Sequence, residues 1–239
     1  MEPYYHRILL KISGEALAGS KGYGIDAHVA KQIASEIKSV HQAGVQIALV
    51  IGGGNIFRGV SPAAKGVDRT TGDAVGMLAT IINSLLFKET LREIGIEARV
   101  LSAIKVEKAA EFYLPQRAIN HMNQGRLVII AAGTGNPYFT TDTAAALRCI
   151  ETRCDILLKA TKVDGIYDSD PVVNPDAVKI TLLSHSEALQ RNIRVMDATA
   201  FSLCMENNVS IIVFKLLEAG NLRKCIEGHS VGSIVKKGA

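Results

Sequence analysis

Short hydrophobic runs of strand length alternate with amphipathic segments of helix length along most of the sequence. Strands are predicted at residues 8–12, 47–51, 98–104, 127–132, 155–160, 210–214 and 231–235. Helices are predicted at residues 26–42, 73–93, 116–123, 143–151, 198–207 and 219–226, and a capping-box pattern begins at Ser184. Such alternation is typical of β-α-β units, so the sequence predicts an α/β fold around a mainly parallel sheet.

Glycine-rich turns follow the predicted strands at Ser13-Gly14, Gly52-Gly53-Gly54 and Gly133-Thr134-Gly135. Glycine leaves backbone N–H groups uncovered, and a helix that begins after such a turn adds the positive end of its dipole. In an open sheet the carboxyl ends of parallel strands meet along one crevice. We therefore expect these turns to bind more than one phosphorylated ligand, close enough for a group to be exchanged.

The predicted helix at residues 73–93 has an unusually wide apolar stripe, formed by Met77, Leu78, Ile81, Ile82, Leu85 and Leu86. A stripe of this width indicates a helix that is well buried or that packs against another subunit. Asp73 stands at the predicted start of this helix. It is either an N-cap or, in the functional interpretation, an acceptor for a ribose hydroxyl.

Size, composition and charge limit the class of protein. The 239 residues are 48% hydrophobic and contain no linker-like segment, which favours one domain over residues 1–239. A net charge of +4, scattered basic residues and the absence of tryptophan argue against a nucleic-acid partner and favour small anionic ligands.

The spacing of the cysteines and the length of the apolar runs indicate in which cellular compartment the protein is expected. The cysteines lack metal-ligand spacing and are expected to be buried free thiols, at Cys149, Cys154, Cys204 and Cys225. The first residues lack a signal core, and no apolar run approaches the length that crosses a bilayer. These features predict a cytoplasmic protein without a membrane partner.

Several charged side chains are candidates for chemistry on phosphate groups. Lys11 and Lys159 end predicted strands, where an ammonium group neutralises charge on a transferred phosphoryl group or simply extends into water. Asp142 either organises these lysines or complements the dipole of its helix. Arg58, about one turn beyond Gly54, either binds a phosphate or is solvated.

Other candidate motifs are weaker. Asp168 and Asp170 have the spacing of a metal-binding pair, but Asp-Ser-Asp-Pro is also an ordinary turn sequence, so we assign no metal site. The histidines have no partnered serine or cysteine in a recognisable motif, so no nucleophile is assigned. Residues 14–21 have P-loop glycine spacing, but Ser20-Lys21 reverses the required order.

Four segments together resemble the bacterial uridylate (UMP) kinases of the amino acid kinase superfamily. They are residues 10–15 (LKISGE), 51–59 (IGGGNIFRG), 133–142 (GTGNPYFTTD) and 159–165 (KATKVDG). The likeness spans nearly the whole chain, and the third segment is the one that points to the uridylate branch. It implies a single-domain three-layer α/β/α sandwich, a homohexamer, and conversion of UMP to UDP with ATP and Mg²⁺.

The resemblance also implies roles for individual residues. The ATP-binding residues would be Lys11, Ile12, Ser13, Gly14, Gly54, Arg58, Thr161, Tyr167 and Asp170. The UMP-binding residues would be Gly53, Asp73, Thr134, Gly135, Asn136, Pro137, Tyr138, Phe139, Thr140 and Thr141. From the positions of the charged residues themselves, catalysis is assigned to Lys11, Asp142 and Lys159. Activation by GTP is associated with Gly19, Ser20, Lys21, Gly22, Tyr23 and Gly24, and UTP is commonly an inhibitor.

Three other functions stay open at this point. A kinase that phosphorylates a carboxylate would present the same phosphate-binding turns. A nucleotide-binding sensor without catalysis is also compatible with them, and a dehydrogenase is a more distant alternative. Transfer assays with several acceptors and tests of NAD(P) binding distinguish these functions.

Overall fold

A computed structural model of the chain describes residues 3–58, 66–191, 193 and 195–238. Within these ranges nine strands form one sheet: β1 (Arg7–Ile12), β2 (Gln46–Ile51), β3 (Ala98–Ser102), β4 (Glu111–Phe112), β5 (Leu127–Ala131), β6 (Ile156–Thr161), β9 (Leu182–Ser184), β10 (Ser210–Lys215) and β11 (Ser233–Lys236). The short strands β7 (Ile166–Tyr167) and β8 (Lys179–Ile180) form a separate antiparallel pair.

The order of strands in the large sheet is β4-β3-β5-β2-β1-β6-β10-β11-β9. Neighbouring strands from β4 to β10 are parallel, whereas β11 runs antiparallel to β10. The expectation of a mainly parallel sheet is therefore confirmed. The strands β5, β2, β1 and β6, which carry the predicted glycine turns and lysines, are adjacent at its centre.

Eight α-helices lie in the described part of the chain: α1 (Gly14–Ala18), α2 (Ala27–His41), α3 (Arg69–Glu93), α4 (Pro115–Asn123), α5 (Thr141–Glu151), α6 (His185–Gln190), α7 (Ala198–Glu206) and α8 (Asn221–Ile226). They form two layers. One face of the sheet shares a core with α2, α3 and α8, and the other shares a core with α4, α5, α6 and α7. The three-layer sandwich expected from the sequence is confirmed.

The side chains of β1 show how the two layers are built. Because successive residues of a strand point to opposite faces, Ile8, Leu10 and Ile12 enter the core beneath α2 and α3. Leu9 enters the core beneath α5 and α7. All four are fully buried.

The predicted and observed elements differ most around the phosphate-binding turns. Helix α3 begins at Arg69 with Asp68 as N-cap, so the prediction of a start at Asp73 is wrong. Thr70, Thr71 and Gly72 have low helix propensity, but Asp68 caps this turn by accepting hydrogen bonds from the backbone N–H and the hydroxyl of Thr71. The helix α1, with five residues, and the strands β4, β7, β8 and β9, with three residues or fewer, were not predicted because they are too short to show a periodic pattern.

Helix α3 also corrects one expectation about membranes. Its 25 residues include a window with a mean hydropathy of 1.3, so by length and composition it is able to cross a bilayer. The expectation that no apolar run approaches the length that crosses a bilayer is therefore wrong for this helix. In the fold, however, Ile81, Phe87 and Leu91 of this helix are buried against the sheet, which makes α3 a layer of the sandwich.

The four cysteines are free and buried, as expected from their spacing. Burial raises the pKa of the Cys204 and Cys225 thiols to about 12. Because the thiolate is the reactive form, these side chains act as small apolar groups in the core.

The capping box at the start of α6 is confirmed and gives a test of the fold. The Ser184 hydroxyl accepts a hydrogen bond from the Glu187 backbone N–H, and the Glu187 carboxylate accepts one from the Ser184 backbone N–H. We expect Ser184→Ala to reduce the free energy of unfolding by about 1 kcal/mol. Urea denaturation measures the change. The control Ser186→Ala lies two residues further at an exposed position and should change stability by less than about 0.5 kcal/mol; equal losses would contradict a capping role.

Candidate active site

The three glycine-rich turns lie along one edge of the sheet, as the sequence predicts. They follow β1, β2 and β5. These strands are parallel, and β2 lies between β1 and β5 in the sheet. Helix α1 begins directly after the first turn, and its N-cap Ser13 accepts a hydrogen bond from the Ala16 N–H. Helix α5 begins after the third turn. The edge therefore combines uncovered amides with helix N-termini.

Lys11 and Lys159 face each other across β1 and β6, where they are direct partners in the parallel register. The alternation of the strands places both on the same face as Leu9 and Leu157, the face that α5 covers. Their side chains are only 9% and 10% exposed. The alternative that these lysines simply extend into water is therefore wrong.

Asp142, in the first turn of α5, lies between the two lysines. Its Oδ1 is 2.8 Å from Lys11 Nζ, and its Oδ2 is 2.5 Å from Lys159 Nζ. Lys159 also donates a hydrogen bond to the Val195 carbonyl. The sequence left open whether Asp142 organises the lysines or complements the helix dipole, and its position does both.

The pKa values of this cluster reflect opposing effects. Burial alone raises the pKa of the Asp142 carboxyl, but the ammonium groups of Lys11 and Lys159 outweigh burial and hold that pKa below its ordinary value. Burial lowers the pKa of Lys159, and Asp142 opposes this shift without cancelling it. Asp142 is therefore ionised at neutral pH and fixes two cations at the ends of adjacent strands.

The three glycines after β2 have different surroundings, so a side chain would be excluded at some of these positions and accommodated at another. A Cβ on Gly53 would lie 2.8 Å from the Gly76 carbonyl oxygen, and one on Gly52 would lie 3.1 Å from the Gly14 nitrogen. A Cβ on Gly14 would lie 2.2 Å from Asn55 Oδ1. Packing requires glycine at positions 14 and 53 and leaves little room at position 52, whereas a Cβ on Gly54 would meet nothing nearer than Glu15 Oε1 at 3.6 Å. Gly54 lines the crevice, and a methyl group there would have ordinary contacts with Glu15 and Arg58, so packing alone does not explain this glycine.

The loop between β5 and α5 is held in an uncommon conformation. Ala132 and Tyr138 have φ angles of 62° and 72°, in the left-handed region that side chains other than glycine seldom adopt. Asp73 Oδ2 accepts a hydrogen bond from the Tyr138 backbone N–H at 2.7 Å. The Arg69 guanidinium lies 4.7 Å from the centre of the Tyr138 ring. Asp73 is thus an anchor for this loop and not an N-cap.

A cleft opens between α3 and this loop and contains many of the residues predicted for UMP. The predicted residues that line it are Gly53, Asp73, Thr134, Asn136, Phe139, Thr140 and Thr141. Gly54, predicted on the ATP side, lines it too. Five lining residues were not predicted to contact a ligand, namely Phe57, Gly72, Gly76, Met77 and Thr80, while Gly133 belongs to the third predicted glycine turn. The missed residues of α3 are glycine, methionine and threonine within a helix, and such residues do not distinguish a cleft wall from a packed helix face.

The remaining residues predicted for UMP belong to the same loop but stand back from the cleft. Gly135 has a φ of 85°, and a Cβ there would lie 3.0 Å from the Ala103 carbonyl oxygen. Tyr138 is 58% exposed. Pro137 lies between Asn136 and Tyr138 in the loop. These three residues were predicted to bind UMP, but they do not line the cleft, and the close approach to Ala103 shows that Gly135 is needed for the shape of the loop.

A second groove, of about 550 Å³, lies beside the pair β7 and β8 and includes two of the residues predicted for ATP. Tyr167 lines it and donates a hydrogen bond to Asp164 Oδ1 at 2.5 Å. Asp170 lines it and accepts a hydrogen bond from the Val172 backbone N–H at 2.9 Å. Thr161, at the end of β6, donates to the Val163 carbonyl at 2.6 Å and lies just outside the groove. Arg191, Ile193 and Val195 form the opposite side and were not predicted.

Arg58 and the residues predicted for GTP lie near one another on the outer side of the glycine turn. Arg58 forms an ion pair with Glu15, and both line a small groove with Gly19, Gly22, Gly54 and Lys162. Gly19, Ser20 and Lys21 form a 3-10 turn, while Tyr23 is 70% exposed and Gly24 has a φ of 68°. Lys162 is mostly exposed, so Lys159 and not Lys162 belongs to the buried cluster.

Ile12 and Asp197 also lie near the site, the first as a core residue and the second as the N-cap of α7. Ile12 is fully buried in the core, so it reaches a ligand only through its backbone. Asp197, the N-cap of α7, was not predicted. It accepts hydrogen bonds from the hydroxyls of Thr140 and Thr143 and thereby ties α7 to the start of α5. Its only sequence signal is an Asp before a helix, which is common. Gly59, the last residue of the second motif, lies outside the described residues.

Comparisons with known proteins agree with this geometry. The sequence profile of the amino acid kinase family matches residues 6–215, so the chain belongs to the amino acid kinase family. Among solved structures, UMP kinase from Bacillus anthracis is 38% identical, with a TM-score of 0.95, 98% of this chain covered and 97% of that one. UMP kinase from Ureaplasma parvum is 37% identical, with a TM-score of 0.90 and coverage of 97% and 99%.

A more distant structure, uridylate kinase from Archaeoglobus fulgidus, is 26% identical, with a TM-score of 0.74 and coverage of 95% of this chain and 99% of that one. The resemblance to bacterial UMP kinases that the four sequence segments indicated is confirmed by the two bacterial structures.

The contrast between Gly53 and Gly54 gives a test of the site. We expect Gly54→Ala to keep nearly the full free energy of unfolding but to weaken ATP binding about tenfold, because the new methyl group occupies the crevice. Gly53→Ala should instead lose about 1–3 kcal/mol of stability, because its methyl group meets the backbone of α3. Thermal denaturation and calorimetric titration with ATP separate the two effects. ATP binding by Gly54→Ala that equals that of the unmodified protein would contradict the assignment.

Proposed function

We propose that this protein is an ATP:UMP phosphotransferase that forms UDP and ADP in pyrimidine nucleotide synthesis. The observation that carries the proposal is the buried cluster of Lys11, Asp142 and Lys159 at the edge where the glycine turns of β1, β2 and β5 meet. The similarity to bacterial UMP kinases supports UMP as the acceptor.

The reaction needs little covalent chemistry from the protein. A phosphate oxygen of UMP attacks the γ-phosphorus of ATP in line, and the bond from that phosphorus to the bridging oxygen of ADP breaks. The attacking oxygen is already ionised near neutral pH, so no strong general base is required. Positioning and stabilisation of negative charge dominate the rate enhancement. Lys11 and Lys159 neutralise charge on the transferred group, and Asp142 holds both ammonium groups in place.

The two nucleotides occupy opposite sides of this cluster in the proposal. UMP lies in the cleft between α3 and the β5–α5 loop, where Asp73 and Thr134 to Thr141 enclose it. The adenosine of ATP lies in the groove of Tyr167 and Asp170, with Thr161 at its margin. Its phosphates reach Lys11, Ser13, Gly14 and Gly54, with Ile12 contributing only backbone and Arg58 on the outer side.

Mg²⁺ enters the proposal together with ATP. In the described part of the chain, no three His, Cys, Asp or Glu side chains are grouped to hold a metal ion. Mg²⁺ at nucleotide sites usually keeps several waters and binds mainly phosphate oxygens, so ATP and water would be its main ligands here. The ion would supply neutralisation of phosphate charge. Asp142 would hold Lys11 and Lys159, and the glycine amides would orient the phosphate oxygens.

The finer parts of the proposal concern regulation and assembly. We propose activation by GTP through Gly19 to Gly24 and inhibition by UTP, in a cytoplasmic homohexamer with one catalytic domain over residues 1–239. The exposed positions Leu78, Ile82 and Leu86, spaced at four residues along α3, support contact with another copy of the chain. The 19–24 segment borders Gly54 in one groove, which supports its influence on ATP.

The function is tested by a coupled assay for UDP formation. With ATP and Mg²⁺ we expect turnover with UMP, and little or none with CMP, aspartate, glutamate or acetylglutamate. Lys11→Ala should lower kcat by about 100-fold or more while changing the affinity for UMP only slightly, because the ammonium group acts mainly on charge in the transition state. Tight binding of both nucleotides without UDP would instead indicate a sensor, and unchanged turnover in Lys11→Ala would remove this residue from catalysis.

Assembly through α3 is tested by light scattering after size-exclusion chromatography. Ile82→Lys places a charge in the exposed apolar stripe and should shift the protein from the hexamer to smaller species. Val172→Lys is the control, since Val172 is 81% exposed and lies far from α3 in the sequence. A hexamer that persists in Ile82→Lys, or is lost equally in both variants, would contradict this interface.

A further inference from the structure

Two of the three buried polar side chains of α3 contact the turns at the carboxyl ends of the strands, although neither belongs to the nucleotide-binding residues predicted from the sequence. Thr80 is 3% exposed and Asn83 is fully buried. Because residues three apart lie on the same side of a helix, both point toward the carboxyl ends of the central strands. Buried polar groups are costly unless they are hydrogen-bonded, so their partners indicate what they hold.

Asn83 is bound to the turn after β2. Its Nδ2 donates to the Gly52 carbonyl oxygen at 2.7 Å and to Asn55 Oδ1 at 2.7 Å. In return, Asn55 Nδ2 donates a hydrogen bond to Asn83 Oδ1 at 2.9 Å. The same Nδ2 donates to the Gly24 carbonyl at 2.6 Å. The four amide N–H bonds of the pair are thus all used, which fixes the orientation of both side chains.

The Asn55 side chain also fills the space beside Gly14, where a Cβ would lie 2.2 Å from Asn55 Oδ1. One buried amide pair therefore contacts the turn after β1, the turn after β2 and Gly24. It joins all three to the middle of α3.

Thr80 is bound to the turn after β5. Its hydroxyl donates to the Met77 carbonyl at 2.7 Å and accepts a hydrogen bond from the Ala132 backbone N–H at 2.7 Å. Ala132 is the residue with a φ of 62° at the start of the loop beside the cleft. A left-handed alanine persists only where surrounding contacts hold it, and this hydrogen bond is one of them.

We propose that α3 is the positioning helix of the site, with Asn83 setting the turn where the phosphates meet and Thr80 setting the loop that encloses the acceptor nucleotide. This inference rests on the proposed function. Both hydroxyl and amide are already committed to backbone partners, so these are positioning residues that act through Gly52 and Ala132.

A purely structural role would predict a different result from the same substitutions. Loss of a buried hydrogen bond lowers the stability of any protein, but well below the melting temperature it leaves the kinetic constants unchanged. Positioning predicts effects that differ between the two nucleotides. Ser84 offers a matched control, because it is fully buried on the same helix and its hydroxyl donates to Thr80 O within the helix at 2.7 Å.

The test compares Thr80→Val, Asn83→Ala and Ser84→Ala with the unmodified protein, well below their melting temperatures. Thr80→Val should raise the KM for UMP about fivefold or more and leave the KM for ATP within about twofold. Asn83→Ala should lower kcat about tenfold or more. Thr80→Ser, which keeps the hydroxyl, should restore the KM for UMP, and Ser84→Ala should change stability alone.

The inference is overturned if the folded Thr80→Val and Asn83→Ala proteins keep unmodified kinetic constants, or if their effects match those of Ser84→Ala. If Asn83→Ala does not fold, Asn55→Ser removes the partner amide and must show the same fall in kcat. Calorimetric binding of ATP and UMP separates this inference from the proposed function. If the unmodified protein forms no UDP, the proposed function fails, and selective loss of UMP binding in Thr80→Val then decides the inference.

Discussion

The buried ion cluster of Lys11, Asp142 and Lys159 is the interaction on which the rest of the site depends. Parallel pairing of β1 and β6 places two lysines side by side at positions where water is largely excluded. Two ammonium groups at such a place repel one another, and the carboxylate between them makes the arrangement stable. Asp142 contacts both ammonium groups, and the negative charge of Asp197 also acts on Lys159 to raise its pKa.

The order of strands delivers the other parts of the site to this cluster. Strands β5, β2, β1 and β6 are neighbours, so their carboxyl-end turns lie along one edge, and α5 brings Asp142 to the same edge from the layer above. Helix α3 closes the opposite layer with Thr80 and Asn83 facing these turns. Its outer face carries the exposed apolar stripe. A neighbouring copy bound there would therefore contact the same helix that holds the glycine turns in place.

Hydrophobic patterning was sufficient to predict the central strands and the long helices. The central strands are buried on both faces and read as continuous apolar runs, while the long helices span several periods with one buried face. The turns at Gly14, Gly52 and Gly133 were found because consecutive or clustered glycines weaken a fold unless the backbone must turn sharply or approach a ligand. The start of α3 at Arg69 was missed because local propensity there opposes the helix. The roles of Asn83 and Asp197 were also missed, since each depends on partners more than 25 residues away in the sequence.

The most direct test of the central claim is a crystal structure with UMP and a non-hydrolysable ATP analogue bound together. The account predicts that the acceptor phosphate and the γ-phosphate meet at the carboxyl ends of β1 and β2, with Lys11 Nζ and the Gly54 amide within hydrogen-bond distance of phosphate oxygens. Phosphates bound away from these turns, or a γ-phosphate without contact to Lys11, would contradict it.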